Sequence, residues 1–330
     1  MRPQTGCRPA DSHALARLIF LLHFGMQSAM EMPVPHAVLD VPTHDGSLLR
    51  VRQHGNRNGP RLFILHGNGF ASDAYFPFWQ NFTNSFEVVL FDLRNHGHNP
   101  QSDASEHTFR NMVRDIQSVV QAADERFGEK TRTGVFHSGA GAIATIGAVE
   151  FGTHWDALVL VDPPSIPQPH HPIFAEVTGF EDKLVQFALN RRFRFSHPDE
   201  LAGEFRRSRA NAKWVFGSHE LMARSILRKD DNASEYILIC DRELEARLYR
   251  EAYEARVWPK VGDFRGPVLL IGADPEVKSG LSMGLANRVL ASEGGFAYAT
   301  LPGTGHMLQL EQPAAAAKLV LDFFAESAIR

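Results

Sequence analysis

Three short stretches of this 330-residue chain could together run nucleophilic chemistry: one presents a serine, one a histidine and one a run of glycine-flanked backbone donors. Residues 132–137 are of β-forming type and lead straight into Ser138, and Gly139, Ala140, Gly141 and Ala142 follow at once. That spacing predicts a strand, a sharp turn and a helix, with Ser138 at the apex and its Oγ pushed clear of the sheet. The first N–H groups of such a helix have no partner within it. With the positive helix end they suit an oxygen that is becoming an anion. The usual pattern is Gly-x-Ser-x-Gly, and here it reads Phe136-His137-Ser138-Gly139-Ala140, with a bulky ring where a small residue is expected. Five residues of this kind also occur as an ordinary helix N-cap, so the other members of a site have to be found elsewhere.

A serine hydroxyl is a poor nucleophile until a base takes its proton. That base is normally a histidine, held in one tautomer by a carboxylate. Of the 16 histidines, His306 stands apart: it lies in the loop Gly303-Thr304-Gly305-His306, between a strand and the final helix. Loops at the carboxyl ends of strands are where ligand sites form in open α/β sheets. Asp274 holds the equivalent position after the strand Val268 to Ile271 and ranks first as the acid. Asp162, ending the preceding strand, ranks second and Glu276 third. An aspartate before a proline, as Asp274 before Pro275, is also a common turn. His66-Gly67-Asn68-Gly69-Phe70 follows another strand, and its glycines let backbone approach a substrate closely. The oxyanion donors are assigned as the N–H groups of Asn68 and Gly139, with the Asn68 side chain as a further candidate donor.

The elements that must position these groups alternate. His36 to Val41 and Leu48 to Gln53 read as a hairpin around His44-Asp45-Gly46. Arg61 to Leu65, Glu87 to Phe91, Arg132 to His137 and Ala157 to Val161 read as buried strands. Helices are expected over Tyr75 to Phe82, Thr108 to Phe127 and Ser138 to Phe151. This alternation predicts a mostly parallel sheet with helices on both faces. Pro163-Pro164 breaks the order. Residues 165–262 carry helical candidates at Pro172 to Asn190, Pro198 to Arg209, Trp214 to Leu227 and Arg242 to Arg256, with one short strand at Tyr236 to Ile239. The stretch is too long for a connecting loop. It is read as a helical cap over the sheet edge, its last helix a candidate for the main domain. Sheet order resumes with Val268 to Ile271, a helix from Leu281 to Ser292, a strand from Phe296 to Leu301 and a closing helix from Leu310 to Ala328.

Composition excludes several classes. The chain is 44% hydrophobic and 22% charged, in the range of globular domains. A net charge of −4 gives no nucleic-acid footprint. The apolar stretch within residues 14–26 is too short to span a bilayer and is broken by Arg17 and His23. Arg2 and Arg8 before it allow a signal-peptide reading. The favoured expectation is a start at Met26, Met30 or Met32, or a loosely attached leader helix, so residues 1–33 are set aside. Cys7 and Cys240 are not expected to pair, which makes a reducing, cytoplasmic setting the default.

Five pieces in order carry a family resemblance: His66-Gly67-Asn68-Gly69, Asp92-Leu93-Arg94-Asn95-His96-Gly97, His137-Ser138-Gly139, Gly272-Ala273-Asp274 and Gly303-Thr304-Gly305-His306-Met307. From His36 to the C-terminus the chain resembles the α/β-hydrolase superfamily. The resemblance implies the α/β-hydrolase fold: a mostly parallel eight-stranded sheet flanked by helices, with a helical cap after the sixth strand. It divides the chain into a core of 34–164 and 263–330 and a cap of 165–262. It also implies a serine hydrolase with Ser138 as nucleophile, His306 as base and Asp274 as acid, needing neither metal nor organic cofactor. The segment from Asp92 to Gly97 is structural in that family. A serine nucleophile argues against the dehalogenases and epoxide hydrolases, which use a carboxylate. The expected partner is a small molecule with an apolar part, cleaved at a carboxylic ester, thioester or lactone. Alternatives are a carbon–carbon bond hydrolase of the capped type and, outside catalysis, a small-molecule binding protein on the same fold.

Overall fold

The computed structural model describes residues 30–277 and 283–329. The expectations for Cys7, for residues 14–26 and for the first two residues of the helix from Leu281 lie outside the described residues. Eight strands make one sheet: β1 (Ala37–Pro42), β2 (Leu48–Gly55), β3 (Arg61–Leu65), β4 (Glu87–Leu90), β5 (Arg132–His137), β6 (Ala157–Val161), β10 (Val268–Gly272) and β11 (Ala297–Thr300). Their spatial order is β1-β2-β4-β3-β5-β6-β10-β11. β1, β2 and β4 pair antiparallel, and every pairing from β4 through β3 to β11 is parallel. β3, β4, β5, β6 and β10 are buried almost throughout, as strands covered on both faces must be.

The helices, in chain order, are α1 (Phe76–Trp79), α2 (Phe109–Phe127), α3 (Gly139–Phe151), α4 (Phe174–Val177), α5 (Glu181–Asn190), α6 (Pro198–Arg207), α7 (Ser218–Ile226), α8 (Arg242–Ala255), α9 (Gly284–Gly294), α10 (Leu308–Glu311) and α11 (Pro313–Glu326). α2 starts where the Thr108 side chain accepts the Asn111 N–H, and it buries Phe109, Met112, Val113, Ile116, Val119 and Val120 along one face. α3 differs. Gly139 to Ala148 are all buried, because small residues let this helix sink against the sheet on every side.

Residues 165–262 hold α4 to α8, close to the expected helical segments. They also hold a three-stranded antiparallel sheet of β7 (Arg194–Phe195), β9 (Tyr236–Leu238) and β8 (Leu227–Lys229), of which the sequence pattern showed one strand. Two- and three-residue strands are too short to set a period. α8 packs on both sides: its Leu248 and Ala252 join the main hydrophobic cluster, together with Phe63, Phe136, Trp155 and Leu160, while its Ala246 packs with Val185 and Ala188 of α5. Among the described residues no helix is long and apolar enough to cross a membrane.

Candidate active site

Ser138 sits between β5 and α3 with φ 54° and ψ −125°, a backbone region that residues with a side chain rarely adopt. Such strain costs on the order of 1–3 kcal/mol and persists only where the surroundings enforce it. Here the turn is enforced from both sides. The Ser138 N–H donates to the Val161 carbonyl (2.9 Å), and its own carbonyl accepts from the Gly141 N–H (2.8 Å). A methyl group at Gly141 would lie 3.0 Å from Pro163 Cβ and 3.3 Å from the Phe136 carbonyl oxygen, so helix and strand nearly touch.

Phe136, the departure from the small-residue pattern, is fully buried and packs edge-on to Trp155 with ring centroids 5.1 Å apart. The space it occupies comes from Gly134, two residues earlier on the same strand face. A methyl there would stand 2.5 Å from Phe136 Cε2. The small residue that this strand needs has moved back by one pleat, and the elbow keeps its strained form.

His306 reaches Ser138 from the loop between β11 and α10, with Nε2 3.0 Å from Ser138 Oγ. Its Nδ1 lies 2.7 Å from Asp162 Oδ2. This overturns the placement expected for Asp274. Asp162 directly follows β6 with φ 42°, its side chain fully buried. Its Oδ1 accepts the Ala273 N–H (3.1 Å) and Asn287 Nδ2 (2.9 Å), which hold the carboxylate still. Ser165 Oγ in turn lies 2.6 Å from Asn287 Oδ1. The Asp274 carboxylate is engaged by two other partners: the Gly303 N–H (2.7 Å) and the Glu276 N–H (2.9 Å). Those donors hold its carboxyl below the usual range. Asp274 thus clamps the β10 loop to the histidine loop, and Glu276 is exposed.

A second histidine missed by the sequence reading completes the arrangement. His137 Nε2 is 3.0 Å from the His306 carbonyl oxygen, and His137 Nδ1 is 2.7 Å from the Tyr75 hydroxyl. A carbonyl only accepts, so Nε2 carries the hydrogen, and Nδ1 accepts from Tyr75 O–H. The Tyr75 oxygen then accepts the Gly67 N–H (3.2 Å). Burial pushes the His137 pKa well below its ordinary value, which keeps the ring neutral and this direction of donation fixed. The signal in the sequence was position: His137 directly precedes Ser138.

The Asn68 and Gly139 N–H groups both border Ser138, and neither is taken up by an acceptor among the described residues. Gly67 presses on Ser138 so closely that a methyl there would lie 2.9 Å from Ser138 Cβ. The Gly69 N–H donates to His96 Nε2 (3.1 Å), so the segment from Asp92 to Gly97 braces this loop. The Asn68 side chain is not a free donor: Nδ2 donates to the Glu245 carbonyl (2.8 Å). Away from Ser138, His96, His107 and Cys240 form a buried group of potential metal donors, and His44, Asp45 and Glu106 a more exposed one. In the first, both His96 nitrogens are engaged, by the Gly69 N–H and the Arg94 carbonyl.

A cavity of about 80 Å³ opens above Ser138 and His306. Phe70, Phe109, Ile166, Leu184, Leu248 and Met283 give it an apolar wall. An open, mostly parallel sheet brings a serine at a strained strand-to-helix turn and a histidine loop together at the strands' carboxyl edge, where ligand sites form in open α/β sheets. Residues 62–319 match the Alpha/beta hydrolase family, and the chain belongs to that family. No curated protein matches the chain by sequence. Among solved structures, E-2-(acetamidomethylene)succinate hydrolase is similar with a TM-score of 0.66 at 16% identity, over 88% of this chain and 99% of that one. The thioesterase domain from the curacin biosynthetic pathway gives 0.65 at 17% identity, over 87% and 100%. A hydrolase from Pseudomonas aeruginosa PA01 gives 0.64 at 17% identity, over 88% and 98%.

Proposed function

We propose that the protein is a serine hydrolase that cleaves a carboxylic ester, or a related thioester or lactone, through an acyl-enzyme on Ser138. The observation that carries this reading is the continuous line from Ser138 Oγ to His306 Nε2 (3.0 Å) and from His306 Nδ1 to Asp162 Oδ2 (2.7 Å). Ser138 Oγ attacks the substrate carbonyl while its proton passes to His306 Nε2. Asp162 holds the other ring nitrogen and stabilises the imidazolium that forms. The oxyanion lies against the N–H groups of Asn68 and Gly139, each worth about 3 kcal/mol of transition-state stabilisation. His306 then gives its proton to the leaving alcohol or thiol, and next takes one from the water that frees the acid. Residues 165–262 act as the cap, contributing Ile166 and Leu184 to the apolar wall above the serine. An acyl group with an apolar part fits that wall, and a thioesterase domain of similar fold is a reason to keep thioesters in the reading.

The test is labelling of the purified protein with a neutral fluorophosphonate, beside hydrolysis of p-nitrophenyl esters and thioesters of graded acyl length. Labelling and turnover that both vanish in Ser138→Ala are the expected result. A folded wild-type protein that neither labels nor turns over would instead support ligand binding without catalysis.

A further inference from the structure

The pocket above Ser138 carries a polar feature that the triad does not use. Glu181, the first residue of α5, lines the same cavity as Ser138 and His306. Its Oε2 accepts the Gly179 N–H at 2.6 Å. Its Oε1 is buried and meets no donor. Asn68, another residue of this wall, has its Oδ1 likewise buried without a partner, while its amide nitrogen donates to the Glu245 carbonyl. Two residues of a largely apolar wall, one of them a carboxylate, therefore each hold an acceptor oxygen that lacks a donor.

We infer that this wall is a subsite for a substrate bearing an ammonium group. A hydroxyl or an ammonium could each satisfy Oε1, but the setting favours charge. Buried acceptors are normally paired, and an unpaired carboxylate oxygen is the least tolerable kind. Phe180, Tyr249 and Tyr253 line the same cavity, and aromatic rings attract cations at their faces. Among the described wall residues there is no lysine or arginine to neutralise Glu181 internally. The same carboxylate repels an acidic substrate, so dicarboxylate half-esters are disfavoured. This inference deepens the ester-hydrolase reading and rests on it for the words "substrate" and "ester"; the binding preference itself stands on the pocket alone.

The first experiment is calorimetric titration with butylammonium, butanol and butyrate, which needs no catalysis. Wild-type protein is expected to bind butylammonium at least about tenfold more tightly than butanol, the gain typical of one charge-assisted hydrogen bond, and butyrate least. In Glu181→Gln, whose amide oxygen can still accept from Gly179, the preference for butylammonium over butanol should fall to within about twofold. The second experiment compares p-nitrophenyl esters carrying an ω-ammonio, ω-methyl or ω-carboxylate end at matched length. Each is expressed as a kcat/KM ratio within one variant, so that a general loss of activity cancels. The ammonio ester should lead in the wild type and lose its lead in Glu181→Gln. Equal binding of butylammonium and butanol by the wild type would overturn the inference even if the variant failed to fold. Preferential ammonium binding without ester turnover would leave the subsite standing and defeat only the catalytic reading.

Discussion

His306 Nδ1 lies 2.7 Å from Oδ2 of Asp162, a carboxylate whose other oxygen is fixed by the Ala273 N–H and the Asn287 side chain. The carboxylate is therefore the rigid member of the pair and sets the tautomer of His306. Asp162→Asn replaces an acceptor by an amide that can present N–H to Nδ1 and favour the wrong tautomer. Its kcat is expected to fall by roughly three to four orders of magnitude with the fold intact. Asp274→Asn keeps an oxygen for the Gly303 N–H and should retain activity within about tenfold, since the change falls outside the proton line. Steady-state hydrolysis of one p-nitrophenyl ester by both variants decides it. The reverse order of losses would return the acid role to the β10 loop.

Much of this was legible from pattern. Buried strands announce themselves as short apolar runs between Gly, Pro and Asp, and Ser138 and His306 both follow such runs at the carboxyl edge. The carboxylate partner of His306 was not legible, because β6 and β10 are neighbours in the sheet and each delivers an aspartate to the same edge. What separates them is the positive φ at Asp162, which turns its side chain toward His306, and the two N–H groups that occupy Asp274. Neither leaves a mark in residue type. Phe136 is an intermediate case. The compensating Gly134 stood in view two residues away, but only the pleat connects them.

That compensation is testable. Gly134→Ala would bring a methyl within 2.5 Å of the Phe136 ring, which Trp155 blocks from retreating. Overpacking of this kind costs about 1–3 kcal/mol, and the shift should reach Ser138 and lower kcat. Phe136→Leu in the Gly134→Ala background should restore part of the stability, since neighbours in contact are not additive. Urea denaturation of the two single variants and the double variant measures the coupling. Additive losses would show that Gly134 and Phe136 do not share the space.

Tyr75 joins the loop that carries Asn68 to the loop that carries His306, through the chain Gly67 N–H, Tyr75 O–H, His137 and the His306 carbonyl. Tyr75→Phe leaves the Gly67 N–H and His137 Nδ1 buried without partners, at a cost of about 1–3 kcal/mol. Because Tyr75 does not line the cavity and its hydroxyl pairs with the Gly67 N–H and His137, kcat should fall by roughly tenfold with KM little changed, the pattern of a lost positioning contact. A rise in KM at constant kcat would place Tyr75 in substrate binding instead.

Stability should fall as the medium becomes acidic, well before the carboxylates titrate. Burial lowers the pKa of His54 to about 4, of His96 to about 3 and of His107 to about 2, with like charges nearby adding to the effect. In the unfolded chain each returns to about 6.5. Below that value the unfolded state binds protons that the folded state refuses, so protonation favours unfolding. Each histidine contributes a slope of up to about 1.4 kcal/mol per pH unit. The loss begins near pH 6.5, ends near pH 4 for His54 and continues lower for the other two. His107 is the cleanest probe, because its Nε2 is buried without a partner and its ring stacks on His96 at 5.8 Å. His107→Gln should flatten the dependence of unfolding free energy between about pH 6.5 and pH 4 by as much as one proton. Equal slopes for wild type and variant would mean that His107 takes up its proton in the folded protein after all.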